Sequence, residues 1–209
     1  MKIAVIWSLT AMIASVCSES LRVSGCSSTS SLPCECSAGT DYWESVTTEV
    51  IGASAEDVGN LINDFFNCGW LGAVPYKTKG QDNTVGAIRT SQFETLIGEY
   101  DVSEKLIEYE IESDGSFIQR FEQLSSTIPL KYHTGNGSFS GYWVTLQGKY
   151  IFEAETLVVW SIYACETGHA RNFALFHEGA LKNATSILQA QNKLKGITVG
   201  PVSAQNFTT

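Results

Sequence analysis

The sequence predicts an α+β fold in which one curved antiparallel sheet is closed by a long C-terminal helix. Three observations carry this. Residues 42 to 166 read mostly as strands, broken by a single helical segment near the start. A stretch from about Ala170 to Lys195 has helical period. The strands follow one another without crossover helices, which excludes a doubly wound sheet.

The closing helix is the clearest element. At about 100° per residue, Phe173, Phe176, Ala180, Leu181, Ala184, Ile187 and Leu188 fall on one face, with His177 inside it. Gly196 is expected to end it, since glycine accepts positive φ. Residues 196–209 are then a C-terminal tail.

Before the fold comes an address. Met1-Lys2 is positive, and Ile3 to Val16 is an apolar run too short to span a bilayer comfortably. Ser15, Cys17 and Ser18 offer small residues for cleavage. Residues 1–18 are therefore expected to be a secretory signal peptide and the mature protein to be secreted, without a stable membrane anchor; an uncleaved anchor is the alternative. Residues 19–41 are rich in Ser and Cys and read as a linker or a disulfide-tied arm.

From Trp43 to Ile51 the residues alternate and are rich in Val and Thr, so they predict the first strand. Ser54-Ala-Glu-Asp57 predicts a capped helix start. Val58, Leu61, Ile62, Phe65 and Phe66 follow at helical spacing, with an expected end near Asn67. Strands are expected over Val85–Thr90, Phe93–Ile97 and Leu106–Ile111, with Glu99–Glu104 as a turn. Residues 113–126 fit either a loop or a short helix around Phe121. Strand signals resume at Ile128, at Ser138–Leu146, at Tyr150–Ala154 and at Thr156–Cys165.

Composition narrows the function. Hydrophobic content of 44% against 17% charged residues is that of a globular chain with a core. The net charge of −9 and the lack of any basic run remove the electrostatic footprint of a nucleic-acid binder. No Gly-x-Ser-x-Gly elbow, phosphate loop or His-Glu-x-x-His occurs, so no cofactor and no metal is expected. Neither the oligomeric state nor the ligand is written in the sequence.

If Cys17 leaves with the signal, Cys26, Cys34, Cys36, Cys68 and Cys165 remain as disulfide candidates. Cys34 and Cys36 are too close to bond each other without strain. A Cys68–Cys165 bond would staple the domain, but connectivity stays open. Asn136, Asn183 and Asn206 stand in Asn-x-Ser/Thr sequons, as suits a secreted glycoprotein.

The segments Val85-Gly-Ala-Ile-Arg-Thr90, Phe93-Glu-Thr-Leu96, Tyr100-Asp101 and Ile107-Glu-Tyr109-Glu-Ile111 resemble the strand signature of the START-like superfamily. Ile128-Pro129, Val158-Val-Trp160-Ser and the terminal helix fit the same layout. The nearest branch is the polyketide cyclase/dehydrase-like group, related to the major birch pollen allergen family. The resemblance spans roughly Tyr42 to Leu194. It implies a helix-grip fold over residues 42–195: a seven-stranded antiparallel sheet around the C-terminal helix, with a deep apolar cavity between. It also implies a small hydrophobic ligand of lipid, sterol or polyketide type, or, alternatively, cyclase/dehydratase chemistry. Two departures stand out, the secretory start with its cysteine arm and an insertion between Ile111 and Ile128.

Candidate site residues follow from the predicted faces. His177 could orient a ligand oxygen or act as a general base, or be a core histidine bonded to a strand hydroxyl. Glu94 is the other acid–base candidate, in a cluster with Arg89 and Tyr109 that reads more readily as a surface ion pair. Phe173, His177, Ala180, Tyr109, Trp160 and Tyr142 are expected to line the ligand cavity.

Overall fold

The computed structural model describes residues 25–95, 98–131, 137–167 and 173–208. The expected signal peptide and the Asn136 sequon lie outside them. Within them, nine strands form one antiparallel sheet. They are β1 (Asp41–Ile51), β2 (Lys77–Lys79), β3 (Ile88–Thr95), β4 (Gly98–Ile111), β5 (Phe117–Gln123), β6 (Leu130–Lys131), β7 (Ser138–Phe152), β8 (Glu155–Thr167) and β9 (Val199–Thr208). Their order is β2-β3-β4-β5-β7-β8-β1-β9, with β6 on the flank of β7. Two helices complete the fold, α1 (Ala55–Ile62) and α2 (Phe173–Ala190).

The count of nine corrects the expected seven. Not foreseen as strands are β2, too short to show a period, β5, and β9, which replaces the expected tail at 196–209, while the strands expected over 85–90 and 93–97 run together as β3. The Val199-Gly-Pro start of β9 reads as a turn, and Ser203, Gln205, Asn206 and Thr208 break up its apolar residues. It holds because its side chains find partners on β1: Thr47 and Ser203 hydroxyls meet at 2.9 Å, and Trp43 Nε1 donates to Gln205 Oε1 at 3.2 Å.

Ser54 caps α1 as expected, its Oγ accepting from the Asp57 backbone N–H at 3.2 Å. The helix stops at Ile62 rather than near Asn67. Side-chain acceptors take over the next amides: Asn83 Oδ1 accepts from Phe65 N, and Asp64 and Asp82 both accept from Phe66 N. Asp and Asn oxygens compete with helical carbonyls in this way. Phe65 therefore leaves the helix and turns its carbonyl toward the sheet.

The expected turn at Glu99–Glu104 is strand. It belongs to β4, whose Tyr100, Val102, Glu104 and Leu106 are buried in alternation. A bulge between Leu106 and Glu108 interrupts the pairing with β5. The ambiguous stretch after Ile111, expected as an insertion, holds β5. Its inward residues are Phe117, Gln119, Phe121 and Gln123. Two buried amides at alternate positions hid the apolar period; Gln119 Nε2 is held by the Asn63 carbonyl at 3.2 Å.

Helix α2 ends at Ala190, and Asn192, with φ +57°, makes the turn expected of Gly196. Gly196 has another task. A β-carbon there would lie 2.6 Å from the Ala154 carbonyl oxygen, so only glycine lets this segment lie against the β7–β8 turn. On β8, Trp160, Ile162 and Ala164 face the core, so Cys165 faces out.

That outward face receives the N-terminal arm. Cys36 bonds Cys165 and Cys26 bonds Cys34, while Cys68 is free and buried. The Cys68–Cys165 pairing, one of those the sequence left open, is not formed: the two sulfurs stand on opposite faces of the sheet. Tyr163 adds a tie, its hydroxyl donating to Ser27 O at 2.5 Å.

Candidate functional site

Helix α2 meets two different surroundings along its length. Ala180, Leu181, Ala184 and Leu188 pack into the solid core with Val58, Ile62 and Val158. Its first turns instead cover a cavity of about 500 Å³. Phe173, Phe176 and His177 form the helix side of that cavity. The sheet side comes from Arg89 and Phe93 of β3, Tyr100, Val102 and Glu104 of β4, Phe121 of β5, Tyr142 and Val144 of β7, and Trp160 and Ile162 of β8. Leu71, from the short 3₁₀ turn Gly69–Leu71, and Leu175 stand at its edge. Asn183 fixes α2 against that turn, its Nδ2 donating to the Trp70 carbonyl at 2.9 Å.

The expected lining residues divide. Phe173, His177, Trp160 and Tyr142 are in the wall. Ala180 is not, because one turn further along α2 the space is filled by core side chains. Tyr109 is not either. It lies beyond the β4 bulge, beside a smaller hollow under α1 shared with Asn63, Asp64 and Phe117. Glu94 pairs with Glu99 in the β3–β4 ladder, and its side chain lies outside the described residues.

Arg89 does not meet Tyr109, which lines the other hollow. Its partner is Glu104, which sequence reasoning missed, because Glu99–Glu104 read as a turn. Arg89 Nε donates to Glu104 Oε2 at 2.6 Å, with both side chains buried. Tyr142 donates its hydroxyl to Glu104 Oε1 at 2.9 Å. Arg89 Nη1 donates to the Phe65 carbonyl at 2.8 Å, the group that the early end of α1 presents. The guanidinium lies between the rings of Phe65 and Phe121, 4.4 and 4.6 Å from their centroids. Burial alone would lower the Arg89 pKa, but Glu104 beside it reverses this and the guanidinium stays charged. Burial, and then the Glu104 charge, push the Tyr142 phenol well above its ordinary value.

His177 has a different environment. Its ring lies on that of Trp160, with centroids 3.7 Å apart and planes 15° from parallel. Phe173 and Phe176 complete its surroundings. Burial lowers its pKa to about 3, so the imidazole is neutral. Its Nδ1 and the Trp160 Nε1 are buried without a hydrogen-bond partner. The strand hydroxyl expected to hold a core histidine is absent among the described residues.

Glycosylation candidates also differ. Asn206 is exposed on the edge strand β9, whereas Asn183 commits its Nδ2 to Trp70.

Residues 43–207 match the family model of the START domain. Comparison with curated proteins finds no match. Among solved structures, a protein of Nitrosospira multiformis aligns at 16% identity, covering 71% of this chain and 98% of its own, with a TM-score of 0.51. Norcoclaurine synthase of Thalictrum flavum aligns at 16% identity over 73% of this chain and 98% of its own, TM-score 0.48. Ginseng major latex-like protein 151 of Panax ginseng aligns at 12% identity over 70% and 97%, TM-score 0.46. The sheet wrapped around α2 is the helix-grip fold, and with the match over residues 43–207 the chain belongs to the START domain family.

Proposed function

We propose that this protein is a secreted carrier that holds a small hydrophobic ligand between the sheet and α2. The observation that carries the reading is the cavity itself. Its volume of about 500 Å³ lies in the range of ligand sites, roughly 300–1,000 Å³. Its walls are aromatic and aliphatic, with a few polar groups at fixed places. Secretion is supported by the signal-like residues 1–18 and by the two disulfides that tie the arm. No helix among the described residues is long and apolar enough to cross a membrane.

The alternative is acid–base catalysis of the cyclase/dehydratase type in the same cavity. It asks for a group that titrates near neutrality. Burial holds His177 far below that range, and Glu104 has both oxygens engaged. Binding is the reading the geometry favours.

Titration with an uncharged fluorescent apolar probe, Nile red, tests it. One saturable site is expected, lost in Val102→Trp, which fills the cavity, while circular dichroism keeps its native form. No saturable uptake by the native protein overturns the reading.

A further inference from the structure

The polar chemistry of the cavity is one-sided. Glu104 already accepts from Arg89 and from Tyr142, one hydrogen bond on each oxygen. Its charge is matched on the spot by the guanidinium, so the pair brings no net charge to the cavity. Arg89 donates once to Glu104 and once to Phe65, and no further acceptor for it stands among the described residues. A guanidinium has five N–H donors and no acceptor, so it keeps donors to spare. Trp160 Nε1 can only donate and is unpartnered. The neutral His177 carries one ring hydrogen, and its Nδ1 is unpartnered too. What the walls can still give an incoming molecule is mainly hydrogen-bond donors in a neutral setting.

We infer that the cavity selects an uncharged apolar molecule bearing a carbonyl oxygen, and discriminates against amines and carboxylates. This rests on the reading of the cavity as a ligand site. A carbonyl oxygen accepts from a wall donor and brings no hydrogen that needs an acceptor of its own. An alkylammonium needs a free carboxylate in so apolar a place, and Glu104 is committed. A carboxylate gives up its hydration on entering so apolar a place, and Arg89, already neutralised by Glu104, returns no net positive charge to hold it. A pure hydrocarbon fits the aromatic walls but leaves the donors unpaired, which wastes the interaction.

Three molecules of one shape separate these cases: acetylnaphthalene, isopropenylnaphthalene and naphthylethylamine, each titrated calorimetrically into the full chain. The ketone is expected to bind about tenfold tighter than the hydrocarbon, and the amine most weakly. Trp160→Phe keeps a ring and removes the N–H, so it narrows the ratio between ketone and hydrocarbon. If the hydrocarbon matches the ketone, the donor argument falls while the ligand site stands. If the amine equals or exceeds the ketone, the neutral-cavity argument falls. If none of the three binds, this inference and the ligand site fall together. Should Trp160→Phe fail to fold, the ratios in the native protein decide the matter alone.

Discussion

His177 lies face to face on Trp160, 3.7 Å between ring centroids, on the helix side of the cavity. The stack shields the imidazole from water and holds its pKa near 3, against an ordinary 6.5. Above pH 6.5 the ring is neutral in both folded and unfolded chains. Below it the unfolded chain takes up a proton that the folded one refuses. Stability is therefore lost as pH falls from 6.5 toward 3, by up to ~1.4 kcal/mol per pH unit. His177→Phe keeps an aromatic stack without the titration. Its unfolding free energy, followed by urea denaturation across this window, is expected to fall less steeply than that of the native protein. Parallel curves would show that the ring is not shielded.

The Arg89–Glu104 pair is buried and fully engaged on the carboxylate side. Removing one partner strands a charge. Glu104→Leu and Arg89→Met are each expected to cost about 3–5 kcal/mol. The double variant leaves no stranded charge and should cost less than either single change. Additive losses in a double-mutant cycle would count against coupling.

The two disulfides differ in what they close. Cys26–Cys34 spans 8 residues of sequence and Cys36–Cys165 spans 129. Loop-closure entropy gives about 2.5 kcal/mol for the first and about 5 kcal/mol for the second. Replacing Cys36 and Cys165 with serine should lower Tm clearly more than replacing Cys26 and Cys34. An equal drop in scanning calorimetry would refute the ordering.

Glycan position is set by which amide is free. Asn206 is exposed, whereas Asn183 Nδ2 donates to Trp70 O beside the cavity-edge turn. Peptide mapping of protein from a secretory host should find a glycan on Asn206 and none on Asn183. A glycan on Asn183 would mean that α2 can part from that turn.

Much of the fold was legible because long elements repeat. The α2 stripe, the alternation of β1 and the Ser54 cap all stand in the sequence as periods or caps. What escaped did so for local reasons. The end of α1 depends on Asp82 and Asn83, far along the chain. Buried Gln119 and Gln123 disguise β5. At the site, Phe173, His177, Trp160 and Tyr142 were legible from their faces. Glu104 was not, since Glu99–Glu104 read as a turn and not as part of β4. The alternation Tyr100, Val102, Glu104, Leu106 is the signal that could have found it.

The bulge in β4 sorts charge. Glu104, Glu108 and Glu110 all stand at even positions, and an unbroken strand would point all three carboxylates inward. Only Glu104 meets a cation inside, Arg89. The extra residue at Ile107 reverses the phase, so that Tyr109 shares the inner face with Gln119. Glu108 then meets Arg120 outside at 2.9 Å. Ile107 is the residue that lets a strand with a carboxylate at each of these positions admit a single one to the interior.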